Sequence, residues 1–146
     1  MLISLDTLRA DHLSLYGYGR ATSPHLDAWA RERHAAVFRQ VVPPSGWTLP
    51  SHFSLFTGLE AFRHPANYDT VAIDSSTFSF LAERLLAAGY RTQAFTGGGF
   101  VHPSFGFALG FDRYHFWPAD RDSHTELAFG IDRVLELFDE DAASPR

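Results

Sequence analysis

The sequence predicts an α/β fold with a mostly parallel sheet flanked by helices. Short segments rich in β-branched and aromatic residues alternate with amphipathic segments, an order typical of βαβ units. The chain has 146 residues, which suits one domain, and 45% of them are hydrophobic, which suits a buried core. The 14 phenylalanines and 3 tryptophans also argue against disorder.

The composition excludes several classes of function. The net charge of −5 provides no basic surface for nucleic acid or an anionic membrane. Without cysteine there is no disulfide and no thiolate zinc site, and the redox compartment stays open. All 12 basic residues are arginine, so no phosphate-binding or Schiff-base lysine can act here. The apolar run at residues 2–5 is too short for a membrane span or a signal peptide, and localisation is left open.

Local signals predict the elements of the first half. Residues 2–6 are expected to form a short buried strand that ends at Asp6. Ser23 as N-cap and Pro24 at the first helical position predict a helix that runs to His34. Residues 36–42 are strand-like.

The second half continues the alternation. A helix is predicted from near Pro50 to Gly58, then an irregular surface segment over 60–75. Ser76 or Thr77 is expected to cap a third helix that stops at Gly89. The last predicted elements are a strand at 91–95, an ordered loop region at 100–121 and an amphipathic helix at 122–140.

Three polar positions are expected at the carboxyl edge of this sheet, where ligands of parallel sheets bind. Asp6 and the turn Gly97–Gly99 each follow a predicted strand, and Thr48 lies beyond another. Asp6 either caps the turn or supplies a hard oxygen ligand for Ca²⁺, Mg²⁺ or Zn²⁺. The glycine turn either binds an anion through its backbone amides or is only a tight turn without a ligand.

Neighbouring residues offer similar alternatives. Asp11 and His12 could reach the same edge or lie in a solvated loop. Arg9 is the cation nearest in sequence to Asp6, and it could bind substrate or pair with a local carboxylate. His102 and Asp112 follow the glycine turn, and the segment Gly110–Asp112 is interpreted as a packing turn rather than as part of a site.

Thr48 is expected at or just before a helix N-terminus. It could be a capping hydroxyl, or a nucleophile at a position where exposed amides and the helix dipole favour anions. Ser51 and Ser54 are rival hydroxyls inside the helix. His52 could contact an ester oxygen or a leaving group, or be structural.

Several segments, in this order and approximate spacing, resemble the N-terminal region of sulfatases in the alkaline phosphatase superfamily. They are Leu5–Asp11, Ser23–Asp27, Trp47–Gly58, Ala88–Thr92 and Gly110–Tyr114. The resemblance implies that Asp6 matches the first metal-binding aspartate. It implies that Thr48, Pro50 and Ser51 match the Cys/Ser-x-Pro-Ser-Arg signature, with Thr48 at the nucleophile and His52 in place of arginine.

The resemblance implies a metal-dependent hydrolase of small-molecule or glycan sulfate or phosphate esters. Calcium is the first candidate ion, bound by Asp6 and Thr48, with magnesium, manganese or zinc as alternatives. Thr48 and His52 would be catalytic, and Arg9, Ser51 and His102 would bind substrate. Sulfatases convert their cysteine or serine to formylglycine, whereas relatives that transfer phosphoethanolamine or glycerol phosphate use a threonine. A phosphotransferase is therefore the second functional hypothesis.

Two departures from the family pattern bear on activity. Thr7 replaces the second aspartate of the common pair, and the lysine and histidine that follow the family's central strand have no clear counterpart at 97–101. The family's other metal ligands lie beyond the matched region. We therefore expect residues 1–146 to be the N-terminal portion of a larger catalytic domain, whose C-terminal half is missing. A truncated, non-catalytic pseudoenzyme is the third functional hypothesis.

Overall fold

The computed structural model describes residues 1–66, 78–117 and 130–138. The chain divides into two compact units, Met1–Pro43 and Pro44–Arg146. Within the described residues, no helix is both long and apolar enough to cross a membrane.

The first unit contains one α-helix, α1 (Pro24–Glu32), preceded by 3-10 helices at Ala10–His12 and Ser14–Tyr16. The predicted start of α1 is confirmed, with Ser23 as N-cap and Pro24 as first residue. The Ser23 hydroxyl donates to the Asp27 carboxylate at 2.7 Å, one turn into the helix. The helix ends at Glu32, slightly before the predicted His34.

The strands predicted at 2–6 and 36–42 are wrong. Neither segment is paired, and β1 and β2 are the only strands among the described residues. Ile3 is 66% exposed and Val42 is 90% exposed. A strand is stabilised by cross-strand neighbours, so an apolar, β-branched run does not form one without a partner.

The second unit contains a parallel sheet of two strands, β1 (Gln93–Gly97) and β2 (Arg113–Trp117). Gln93 pairs with Arg113 and Gly97 with Trp117. The connection passes through 3-10 helices at Gly99–Val101 and Pro103–Phe105. β1 lies two residues later than predicted, and β2 falls in the region predicted to be loop.

Helices α2 (Thr48–Thr57) and α3 (Leu81–Ala87) complete this unit together with a 3-10 helix at Ala61–Arg63 and a helical segment at 130–138. The α2 helix ends at Gly58 as predicted, with a left-handed φ of 73°. The α3 helix begins after Phe80, whose N–H donates to the Glu83 carboxylate at 2.8 Å. The predicted cap at Ser76 or Thr77 is wrong, because the N-cap of α3 is Phe80. Most of the irregular segment predicted at 60–75, and residues 122–129 and 139–140 of the last predicted helix, lie outside the described residues.

The core of the second unit forms around Phe53 of α2, which is fully buried. Its ring makes edge contacts with the rings of Phe78, Phe80 and Phe107, with centroids 4.9 to 6.4 Å apart. Such edge-to-face pairs are favoured by the aromatic quadrupole. The start of α2 is therefore held on an aromatic core. These observations confirm the predicted α/β class with parallel strands and helices.

Candidate functional site

Thr48 is the first residue of α2 and is half-buried. The residue before it, Trp47, is extended, with φ −148° and ψ 165°, and occupies the N-cap position. Thr48 therefore lies inside the first turn, and it is not the capping residue that the sequence allowed. In the first turn of α2, Pro50 has no N–H group, so an anion would be favoured by the amides of Thr48 and Leu49 and by the positive end of the helix dipole.

His52 lies one turn after Thr48 and folds back towards the start of the helix. Its Nδ1 is 3.0 Å from the backbone carbonyl oxygen of Thr48. A carbonyl oxygen only accepts, so Nδ1 carries the proton and donates it. In the neutral ring, Nε2 then keeps its lone pair, and that atom is able to accept a proton. The structure thus places the His52 ring against the backbone of the residue at the predicted nucleophile position.

Ser51 has a structural role in α2. Its hydroxyl donates to the carbonyl of Ser45 at 2.8 Å and ties the preceding loop to the helix. A serine hydroxyl has one proton, so while this bond is made Ser51 has none to donate to an ester oxygen. Its predicted substrate-binding role stays a prediction, and this bond weighs against it.

The glycine turn after β1 lies close to the start of α2. The 3-10 helix Gly99–Val101 packs against α2, and the Phe100 ring meets the Trp47 ring edge-on, with centroids 5.1 Å apart. The glycine turn and the start of α2 therefore lie close together within this unit. The predicted convergence of Asp6 with them stays a prediction.

His102 follows this 3-10 helix and caps the next one. Its Nδ1 accepts from the Ser104 N–H at 3.0 Å, and its ring lies edge-on to Phe116 with centroids 4.5 Å apart. Because Nδ1 accepts, the neutral ring carries its proton on Nε2, which could donate to an anion. A substrate-binding role for His102 stays a prediction.

In the first unit, Asp6 and Thr7 form the centre of a turn, and Asp6 is exposed. Thr7 adopts a φ of 60°, a left-handed conformation that β-branched residues rarely adopt. Asp6 does not follow a strand, contrary to the prediction, because residues 2–6 do not pair with another strand.

Arg9 pairs with a local carboxylate, one of the two roles the sequence left open. Its Nε and Nη2 donate to the two carboxylate oxygens of Asp11 at 2.9 and 2.6 Å. The Asp11 carboxylate also lies 3.1 Å from His12 Nδ1. Hydrogen bonding from Arg9, then from His12, holds the pKa of Asp11 well below its usual range. Asp11 and His12 therefore form an exposed network with Arg9.

The described residues do not by themselves make up a divalent-cation site. The carboxylate of Asp6 suits a hard cation, but calcium takes six to eight oxygen ligands. Within residues 1–66, 78–117 and 130–138, no group of three or more His, Asp or Glu side chains could hold a metal ion. Asp6 and Thr48 as metal ligands stay predictions.

Asp112 has a packing role, as the interpretation of Gly110–Asp112 predicted. Its carboxylate accepts from the Thr92 N–H at 2.7 Å, and the Thr92 hydroxyl donates to the Gly110 carbonyl at 2.7 Å. These bonds join the start of β1 to the turn that precedes β2. The Asp112 carboxylate therefore stabilises the contact between these two segments.

Sequence reasoning missed a buried serine–histidine pair beneath α2. Ser54 Oγ lies 2.9 Å from His64 Nε2, and both residues are 8% exposed. Burial lowers the pKa of His64. Ser54 was recognised as a hydroxyl in α2, but no local pattern marks His64, since the two residues meet only through folding.

The family model described as Sulfatase matches residues 1–138 of this chain. The match includes the whole first unit, the Thr48–Thr57 helix and both strands. Comparison with curated proteins gave no match, and comparison with solved structures gave none.

Proposed function

The chain belongs to the sulfatase family, within the alkaline phosphatase superfamily, and on that premise we propose that it hydrolyses sulfate or phosphate esters with Thr48 as nucleophile. Family membership supports a sulfatase-like hydrolase acting on sulfate esters. The observation that carries the proposal further is the start of α2. There the hydroxyl-bearing residue lies at the positive end of a helix, and His52 is hydrogen-bonded to its carbonyl.

In the proposed reaction the Thr48 oxygen attacks sulfur or phosphorus, and a bond forms between them. The bond to the leaving oxygen breaks, and its electron pair stays on that oxygen, which then takes up a proton. The amide groups and dipole at the start of α2 stabilise the negative charge on the group being transferred. Water then attacks the Thr48 ester, which releases sulfate or phosphate and restores the hydroxyl.

His52 is proposed to handle protons in both steps. With its Nδ1 proton held on the Thr48 carbonyl, Nε2 is the nitrogen that can accept the proton of Thr48 and return it to the leaving oxygen. An imidazole ring can accept a proton at a ring nitrogen and give it back, so it can serve in both directions. This role would be particular to the present chain, because the resemblance implies arginine at this position.

The family generally uses a divalent metal ion. We propose calcium, with the exposed carboxylate of Asp6 as one ligand and the remaining ligands outside the described residues. Calcium titration by calorimetry tests this. Asp6→Asn should abolish the heat of binding, whereas Asp11→Asn should keep it, because Asp11 pairs with Arg9 and His12. Equal binding by both variants would refute Asp6 as a ligand.

The nucleophile is tested with an aryl sulfate and an aryl phosphate, with and without added divalent ions. Thr48→Ala should lower turnover by about 10³-fold or more, as expected for loss of a nucleophile. Thr57→Ala is the matched control: it removes a threonine hydroxyl from the other end of α2, where that hydroxyl donates to the Phe53 carbonyl. Thr57→Ala should keep its turnover. Full activity in Thr48→Ala would exclude the proposed nucleophile.

A phosphotransferase is the second candidate, and the threonine at position 48 is the observation that favours it. The same covalent Thr48 ester would then be attacked by an acceptor hydroxyl in place of water. Adding an alcohol acceptor to the aryl phosphate reaction separates the two, since a transferase yields the alkyl phosphate. If a folded chain turns over no ester with any divalent ion, the third hypothesis, a non-catalytic pseudoenzyme, replaces the hydrolase and the phosphotransferase.

A further inference from the structure

Tyr114 contacts both the core and the 3-10 helix Gly99–Val101, which packs against α2. It lies in the middle of β2, and its ring packs against the buried cluster that contains Leu49 and Phe53 of α2. Its hydroxyl donates to the carbonyl oxygen of Val101 at 2.6 Å, across the β1–β2 connection. Burial raises the pKa of Tyr114, so the phenol keeps its proton and remains a donor.

Val101 is the last residue of the 3-10 helix Gly99–Val101. A helix of this length closes with few internal hydrogen bonds, so contacts with the rest of the protein decide where it lies. The central residue of this helix, Phe100, is 49% exposed and meets the ring of Trp47 edge-on. Trp47 in turn directly precedes Thr48 and packs against the core.

We propose that Tyr114 is a positioning residue: its hydroxyl holds the Gly99–Val101 helix against Trp47 and thereby fixes the first turn of α2. The path runs through one hydrogen bond, to Val101, and one ring contact, between Phe100 and Trp47. The coupling is a property of the scaffold. Only its effect on catalysis rests on the proposed function of Thr48.

Tyr114→Phe removes the hydroxyl and keeps the ring in the core. Backbone hydrogen exchange reports the first turn of α2, because the Ser51 N–H donates to the Trp47 carbonyl at 3.3 Å. In Tyr114→Phe this amide should exchange about two- to ten-fold faster, the effect expected for loss of one hydrogen bond. The Gly58 N–H, bonded to the Ser54 carbonyl at the other end of α2, should keep its rate.

Tyr90→Phe is the matched control, since Tyr90 is 61% exposed and removal of its hydroxyl should leave the Ser51 amide unchanged. A double-mutant cycle with Phe100→Leu tests the path, because two changes on one path have non-additive effects on Ser51 exchange. An unchanged Ser51 rate in Tyr114→Phe would overturn the proposal. So would an equal rise at Ser51 and Gly58, which would indicate general destabilisation.

Ester turnover gives the second readout. Tyr114→Phe should lower kcat while Tyr90→Phe does not. If the wild-type chain turns over no ester, the proposed function fails, and the exchange result still decides the role of Tyr114. If turnover is present and Ser51 exchange is unchanged, the positioning role fails and the proposed function stands.

Discussion

Replacement of Gly110 by alanine tests the close contact between the turn before β2 and helix α3. A Cβ at Gly110 would lie 2.1 Å from the amide nitrogen of Glu83, 2.5 Å from its Cα and 2.6 Å from the carbonyl carbon of Ala82. All three are backbone atoms of α3, so no side-chain rotation can relieve the overlap. Gly110 also has a φ of +78°, which an alanine rarely adopts.

The expected loss of stability has two parts. A left-handed conformation costs an alanine about 1–2 kcal/mol, and overpacking against a fixed backbone costs about 1–3 kcal/mol or more. Because the overlap is severe, we expect the free energy of unfolding to fall by about 3–5 kcal/mol in Gly110→Ala. Gly58→Ala isolates the first part. Its φ is +73°, and a Cβ there would meet no atom within 4 Å, so its loss should be only about 1–2 kcal/mol.

Urea unfolding of the wild type and both variants, followed by circular dichroism, measures these losses. A Gly110→Ala chain that does not fold, beside a Gly58→Ala chain that does, agrees with the expectation. Equal losses in the two variants would refute the close contact, because only the conformational part is common to both.

Two further predictions concern buried polar groups. The pKa of His64 is lowered by burial from 6.5, so the unfolded chain takes up a proton first as the pH falls. The stability that neutral His64 contributes is therefore full above about pH 7 and is lost as the pH falls below it. In urea unfolding from about pH 7 to 5, the free energy of unfolding should fall more in the wild type than in His64→Gln. Parallel pH curves for the two proteins would exclude a neutral buried histidine. Thr92→Val removes the hydroxyl that donates to the Gly110 carbonyl and should cost about 1–3 kcal/mol. The exposed Thr22→Val is its control, and equal midpoint shifts in the two variants would exclude the interior role of Thr92.

Elements with local signals were predicted well. The start of α1 follows from Ser23 and Pro24, and the end of α2 follows from Gly58, because capping and chain reversal depend on the residues at the terminus itself. The pairing of Arg9 with a nearby carboxylate was one of two stated alternatives, since residues two apart can meet without the rest of the fold.

Elements that depend on distant partners were predicted poorly. Residues 2–6 have a strand-like composition, but no partner strand among the described residues pairs with them. The reverse error occurred at β2, where aromatic residues favourable to strands lie at the end of a region rich in Phe, Gly and Pro, and pairing with β1 decides the outcome. The Ser54–His64 contact is likewise produced only by tertiary folding.

The positions of Thr48 and His52 on α2 were predicted better than their contacts. The sequence indicated Thr48 near a helix start and His52 one turn later, since spacing along a helix is regular. It did not indicate that His52 donates to the Thr48 carbonyl, which determines which ring nitrogen can accept a proton. Nor did it indicate that the Ser51 hydroxyl donates its only proton to the Ser45 carbonyl.

The structure also separates the sulfatase-like segments by what their residues do. In Ser23–Asp27 the polar groups bond one another across the first turn of α1. The segments that end at Thr92 and begin at Gly110 are joined to each other by hydrogen bonds from Thr92 to Gly110 and between Thr92 and Asp112. Three of the five sulfatase-like segments therefore contain residues whose hydrogen bonds stabilise the scaffold.

The remaining segments, around Asp6 and Thr48, are those in which this chain departs from the family pattern. Thr7 stands where the resemblance implies a second aspartate, and its φ of 60° is one that aspartate tolerates better than a β-branched residue. His52 stands where the resemblance implies arginine, and a neutral imidazole has a ring nitrogen that can accept a proton, which a guanidinium does not. Family membership thus predicts the scaffold of this protein more firmly than its chemistry. Turnover of an aryl ester by His52→Arg against the wild type measures that difference directly: a histidine that carries protons predicts lower turnover in the arginine variant, and equal turnover in the two proteins would exclude that role.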